Sequence, residues 1–200
     1  MEQHAIKRYT VEEFLALPDD GIRRELIDGI IYIKVERIDD RPLGMAGASP
    51  AHQSVLVGIS TQLKNFLDGK RCKVYVSPVD VQLHPNFTDG TLVQPDIFVI
   101  CDKSKFDNRV YKGVPELVIE ILSPTTARID RTVKFRKYRQ AGVKEYWIVD
   151  PIDRFVQVYL LFDGNYMANA YYDDNNDVPV VVLEGCSINL AKVFAELDEE

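Results

Sequence analysis

A chain of 200 residues that is 46% hydrophobic and 28% charged has the composition of an ordinary globular protein, long enough for one sizeable core. Its net charge of −7 excludes a surface that binds nucleic acid everywhere, so any such partner must meet a local basic patch. No run approaches the ~20 apolar residues of a membrane-spanning helix, Met1 to His4 carry no apolar signal core, and Cys72, Cys101 and Cys186 form no Cys-x-x-Cys pair, so the expectation is a cytoplasmic protein with no membrane partner and three reduced, mostly buried thiols.

Thr10 followed by Glu13 is a capping-box pattern ahead of Phe14, Leu15 and Leu17, and predicts a short helix. The β-like runs on either side of Asp28-Gly29, from Arg24 to Ile33, predict a hairpin with Glu25 in its first arm. The Asp, Gly and Pro content from Glu36 to Ser49 reads as a mobile loop. Ser49-Pro50, a capping side chain and then proline at the first helical position, starts a helix predicted to reach about Asp68 and to end at Gly69. Its apolar face is Leu56, Ile59, Leu63 and Phe66, and His52 lies one turn before Leu56 on that face.

Val74 to Leu83 predicts a strand with a bulge or an edge at Ser77-Pro78, followed by a loop from His84 to Gly90. Leu92 to Ile100 and Pro115 to Leu122 predict two more strands, separated by a polar excursion from Asp102 to Gly113. Ser123-Pro124-Thr125-Thr126 breaks the chain before a helix from about Ala127 to Gln140. That helix carries Arg128, Arg131, Lys134, Arg136, Lys137 and Arg139 against a single acid, Asp130, and is the candidate basic patch. Gly142 ends it, and Glu145 to Val149 is the next strand. Phe155–Leu160, Tyr166–Tyr172 and Val178–Leu183 read as a β meander, and Leu190 to Leu197 as a closing amphipathic helix. Asp173 to Asp177 imitates a calcium loop, but Val178 stands where the sharp turn needs glycine and the flanks read as strands, so it is taken as a polar hairpin turn. The core order is helix, three strands, helix, strand: an α/β fold with a mixed sheet and β additions at both ends.

Two of the predicted strands place a carboxylate, Asp96 and Glu120, inside runs that otherwise read as buried sheet. A buried carboxylate is costly unless paired, hydrogen-bonded or bound to a metal, and two in neighbouring strands repel each other unless a cation lies between them. That pattern points to a divalent-metal site. Taken singly, Asp96 could merely follow a proline at a strand entrance and Glu120 could pair with an arginine; their chain order together favours a site.

Pro95-Asp96 and Glu120-Ile121-Leu122 in this order of elements resemble the PD-(D/E)XK nuclease superfamily, and more closely its Uma-two family of restriction endonucleases. Supporting stretches are Arg24 to Gly29, Ser49-Pro50-Ala51-His52, Glu116 to Pro124 and Gly142 to Asp150. The resemblance implies a restriction-endonuclease-like fold as a single domain over residues 1–200: an N-terminal helix, hairpin and loop over 1–48, a nuclease core over 49–150 and a β meander with a helix over 151–200. It further implies a magnesium ion, replaceable by manganese, held by Asp96, Glu120 and the main-chain carbonyl of Ile121, and hydrolysis of phosphodiester bonds in nucleic acid, with DNA as the expected substrate and a homodimer as the expected assembly. The superfamily's lysine should stand two residues after the glutamate, where this chain has Leu122; Lys134 is the substitute. Glu25, His52 and Tyr138 are supporting candidates, and Arg128, Arg131 and Lys137 candidate phosphate contacts. The alternative is a nuclease-like fold without turnover that serves as a binding or assembly module.

Overall fold

The computed structural model of the protein describes residues 7–33, 35–38, 41–45, 49–83 and 90–198. Its central sheet has the order β14-β13-β12-β11-β8-β5, with β5 at Lys73–Val76, β8 at Ile97–Ile100, β11 at Leu117–Ile121, β12 at Glu145–Asp150, β13 at Phe155–Phe162 and β14 at Asn165–Asp173. Neighbours are antiparallel except β11 and β12. A parallel pair needs a crossover, and a helical run supplies it: α3 (Ala127–Ile129), a π-helical turn (Asp130–Lys134) and α4 (Phe135–Ala141) follow one another without a break. Gly142, at φ 90°, takes the left-handed conformation that closes this run and turns the chain into β12.

Alternation along the strands sorts the core into two layers. Ile97, Val99, Leu117, Ile119, Ile121, Trp147 and Val149 face α2 (Pro50–Phe66), which contributes Val55, Leu56, Ile59 and Leu63. Closing against the same side is α5 (Leu190–Phe194), continued by a 3₁₀ turn, Ala195–Asp198. Gly58 permits that approach, since a Cβ there would meet the Val193 Cα at 3.3 Å. Phe98, Ile100, Val118, Tyr146 and Ile148 face the other way, onto α4 and a second sheet.

The second sheet runs β2-β1-β7-β6-β10-β9, with β1 at Arg24–Ile27, β2 at Ile30–Ile33, β6 at Asp80–Gln82, β7 at Leu92–Val93, β9 at Phe106–Asp107 and β10 at Val110–Lys112. Asp28 and Gly29, both at positive φ, make the tight β1–β2 turn. In front of the hairpin stands α1 (Val11–Leu15), whose capping box forms between Thr10 and Glu13. The two strands predicted over 74–83 and 92–100 are in fact each split: β5 passes to β6 through Ser77-Pro78, and β7 to β8 through Gln94-Pro95-Asp96, so each run serves both sheets. Proline has no N–H for a ladder, and both crossings occur at one.

Other expectations need correction. The loop expected over 36–49 contains a backbone hairpin, β3 (Val35–Ile38) with β4 (Arg41–Met45), while residues 39–40 and 46–48 lie outside the described residues, as do 84–89 of the next predicted loop. The excursion from Asp102 to Gly113 holds a 3₁₀ turn (Lys103–Lys105), β9 and β10, because Val110 and Tyr111 are buried. The last meander strand is shorter than predicted: β15 (Asp177–Pro179) pairs with β16 (Ser187–Asn189), and the chain turns after Pro179. Cys72 and Cys101 are joined in a disulfide rather than standing as free thiols. The β5–β8 register, which pairs Lys73 with Ile100, sets them opposite each other, a relation invisible in a sequence separation of 29. Cys186 is free and buried, and burial raises its thiol to about 11. Among the described residues no helix is long and apolar enough to cross a membrane.

Ile59 is fully buried between α2 and the central sheet. Ile59→Ala is expected to lower stability by about 2–5 kcal/mol, read from a urea midpoint that falls with an unchanged m-value.

Candidate active site

Glu120 falls on the face of Val118, away from α2, and is completely buried. The β8–β11 register pairs Ile119 with Ile97, so one step further Glu120 lies opposite Asp96, at the crossing that leads into β8. Directly opposed residues of an antiparallel pair have neighbouring side chains. The Ile121 N–H donates to Asp96 Oδ2 at 2.9 Å, and His52 Nε2 lies 3.3 Å from the same oxygen. His52 arrives there from the first turn of α2, where Ser49 caps its backbone N–H. Within a strand the N–H and C=O of one residue point to the same neighbour, so the Ile121 carbonyl shares the edge occupied by Asp96.

From the opposite wall the π-helical turn brings in Lys134, also completely buried. Its Nζ is 2.6 Å from Glu120 Oε1, 3.1 Å from Glu25 Oε1 on β1 and 3.5 Å from Asp130 Oδ1 one turn back. Tyr138, one turn on, donates its hydroxyl to Glu120 Oε1 at 2.5 Å. Tyr146 of β12 donates to the Asp130 carbonyl at 3.1 Å and so ties the turn to the central sheet. Glu25 is fixed in turn by the Gln94 N–H, 2.8 Å from its Oε1.

Burial disfavours a charge on Lys134, but Glu120 foremost, then Glu25, Tyr138 and Asp130, outweigh it and hold the ammonium well above the ordinary lysine value. Burial, reinforced by Glu120, pushes the Tyr138 hydroxyl well up, and the Tyr146 hydroxyl likewise. At neutral pH Lys134 is therefore a fixed cation and Tyr138 a neutral hydrogen-bond donor. Three buried carboxyl groups, those of Glu25, Glu120 and Asp130, face this one ammonium, and a fourth, that of Asp96, is buried beside them against His52 and the Ile121 N–H. Among the described residues no group of three or more His, Cys, Asp and Glu side chains is spaced to hold a metal by itself. A cation at Asp96 and Glu120 would need main-chain, water or substrate oxygens to complete its shell, which suits a hard ion that retains its waters.

Asp96, Glu120, Ile121, Lys134, Glu25, His52 and Tyr138, all singled out from the sequence, thus meet at one place. Leu122, where a lysine was sought, packs in the core layer that holds Tyr138 and Ile148. Lys137 lies elsewhere: it is buried and its ammonium pairs with Asp28. The basic helix is correspondingly less basic at its surface, with Arg128, Arg131 and Arg136 exposed and Arg131 3.4 Å from Asp150. Sequence reading missed Asp130 as a member of the cluster, although its spacing of four from Lys134 was a signal. It also missed Tyr146 and Gln94, for which neither spacing nor composition gives one.

A helix, three strands, a helix and a strand, with carboxylates at the ends of two neighbouring strands and a lysine against one of them, define a restriction-endonuclease-like fold. The chain belongs to the Uma2 family, described as "Putative restriction endonuclease", whose model matches residues 11–191. Two Synechocystis sp. proteins, both named as uncharacterized, are similar in sequence. One, slr1290, is 31% identical over 150 residues, spanning 75% of this chain and 71% of that protein; the other, sll1609, is 27% identical over 129 residues, or 63% and 71%. The crystal structure of a "putative nuclease belonging to DUF820" from Anabaena variabilis superposes with a TM-score of 0.71 over 94% of this chain and 98% of that one at 21% identity, a likeness of fold.

Two outcomes are expected from the electrostatics. Lys134, Tyr138 and Tyr146 keep their protons more tightly when folded than when unfolded. Their contribution to stability is therefore fully present and independent of pH below about pH 10 and is lost above it, by about 1.4 kcal/mol per pH unit for each group once the unfolded chain has lost the proton. Denaturant titrations between roughly pH 9 and 11 measure that slope, and Tyr138→Phe removes one group's share. Replacing the cation, Lys134→Met, leaves its carboxylates to face one another and is expected to cost about 3–5 kcal/mol at neutral pH, with a smaller loss at acid pH, where the carboxyl groups take up protons.

Proposed function

We propose that this protein is a divalent-metal-dependent endonuclease that hydrolyses phosphodiester bonds in DNA. The observation that supports it best is the Lys134 ammonium 2.6 Å from Glu120 Oε1, which supplies from a helix the cation that Leu122 does not supply from the strand. In this reading Asp96, Glu120 and the Ile121 carbonyl hold magnesium or manganese, hard oxygen donors for a hard cation. Such an ion activates a water and neutralises charge that builds on the scissile phosphate.

The chain's own groups then divide the remaining work. His52 orients Asp96 through Oδ2, as second-layer partners of ligating carboxylates do. Tyr138 fixes Glu120 Oε1 in one rotamer. Lys134, held protonated, is not a proton acceptor; it stabilises negative charge on the attacking oxygen and the phosphate. Glu25 keeps Lys134 in place. Arg128 and Arg131, exposed on the helical run beside the cluster, contact the phosphate backbone, and a homodimer would carry two such sites for two strands.

Manganese titrated calorimetrically into wild type should bind, and Glu120→Gln should abolish both that binding and metal-dependent cleavage of plasmid DNA. His52→Ala should weaken manganese binding by about 10–100-fold. Cleavage that survives Glu120→Gln would overturn the proposal, and metal binding without any cleavage would favour the non-catalytic module.

A further inference from the structure

Next to the cluster lies a cleft of about 480 Å³ that the chemistry above does not use, between α1 with the segment after it and the β6–β10 part of the second sheet. Its floor is polar. Gln94 Nε2 donates to Asp80 Oδ1 at 2.9 Å, and both side chains line the cleft. Its walls are mixed: Asp19, Asp107 and Asn108 line it beside apolar side chains, of which Leu15 and Ile22 stand 50% and 38% exposed. At its rim are three cations. Arg24 is committed to Asp20 at 2.8 and 2.5 Å and Lys112 to Asp107 at 2.6 Å, whereas Arg109 makes no ion pair among the described residues. Gln94 links the cleft to the cluster, because its backbone N–H donates to Glu25 and it stands two residues before Asp96.

Exposed apolar side chains beside an amide and a carboxylate match a flat heteroaromatic ring with a polar edge, and the guanidinium of Arg109 matches a phosphate. The volume is in the range of small-molecule sites, about 300–1,000 Å³. A base can enter such a cleft only when it is out of its stack. We infer that this cleft binds one unpaired nucleotide of the strand being cut, with its base on the Gln94–Asp80 floor between Leu15 and Ile22 and its phosphate at Arg109. The inference rests on the nuclease reading for the strand's identity, but binding of the nucleotide is a separate property.

The test is calorimetric titration of the four deoxynucleoside 5′-monophosphates, and of deoxyribose 5-phosphate, into wild type, Gln94→Ala and Arg109→Ala in the presence of EDTA. At least one mononucleotide should bind, about tenfold or more tightly than the abasic sugar phosphate. Gln94→Ala, which keeps the backbone bond to Glu25, should remove that preference. Arg109→Ala, a change at an exposed turn, should weaken mononucleotide and sugar phosphate alike. No binding, equal affinity for nucleotide and sugar phosphate, or affinities unmoved by both variants would overturn the inference. DNA cleavage without mononucleotide binding would remove the cleft and spare the nuclease reading; mononucleotide binding without cleavage would do the reverse.

Discussion

The ammonium of Lys134, buried among carboxylates that come from three different elements, is the interaction on which the rest of this structure turns. An isolated buried cation is prohibitively costly, and it persists only where opposite charges and hydrogen-bond acceptors surround it. Glu120 comes from β11, Glu25 from β1 and Asp130 from the same helical run. One charge therefore clamps the central sheet, the second sheet and the crossover helix together. Apolar packing alone would accept small slips among these three; a charge that must meet three partners within hydrogen-bonding reach does not.

Local chain chemistry delivers each partner to that point. Strand alternation turns Glu120 away from α2 while Ile119 and Ile121 fill the α2 layer. Prolines at 78 and 95 end their ladders and send the chain from one sheet to the other, and the second of these crossings leaves Asp96 at the strand entrance, where the Ile121 N–H and His52 meet it. The π-helical turn widens the helix just where Asp130 and Lys134 must both face inward, a feature common at functional sites. Tyr138 then continues the same stripe one turn on and donates to the Glu120 oxygen that the ammonium also meets.

Much of this was legible in the residues. Helix caps at Thr10 and Ser49, the Asp28-Gly29 hairpin, the order of the core and two carboxylates in runs that read as buried sheet all rest on local rules that tertiary packing did not override. The losses have a common cause, which is that composition records charges and thiols without their partners. Six cations on one helix suggested a basic face, yet Lys134 and Lys137 turn inward because acids from β1, β11 and the Asp28 turn wait there. Cys72 and Cys101 looked like separate thiols until the β5–β8 register paired them. A strand predicted through Pro78 or Pro95 could be read as bent, but which sheet each half would join depends on partners far away in sequence.

The lysine's location is the most consequential of these differences. A lysine at 122 would share Glu120's strand and face, and its ammonium would be near the carboxylate whenever β11 is formed. Here leucine fills that position and packs with Tyr138, so the cation arrives only if the helical run is docked. A flexible four-carbon stem makes the backbone origin of an ammonium immaterial to its chemistry, but not to its coupling. Docking depends on the Tyr146 bond to the Asp130 carbonyl and on the burial of Tyr138 and Ala141. Charge balance around Glu120 thus becomes a property of tertiary assembly, complete only when sheet and helix are together. Any group that draws Glu120 or Glu25 elsewhere, a divalent cation included, must compete with the contacts that hold the helix in place.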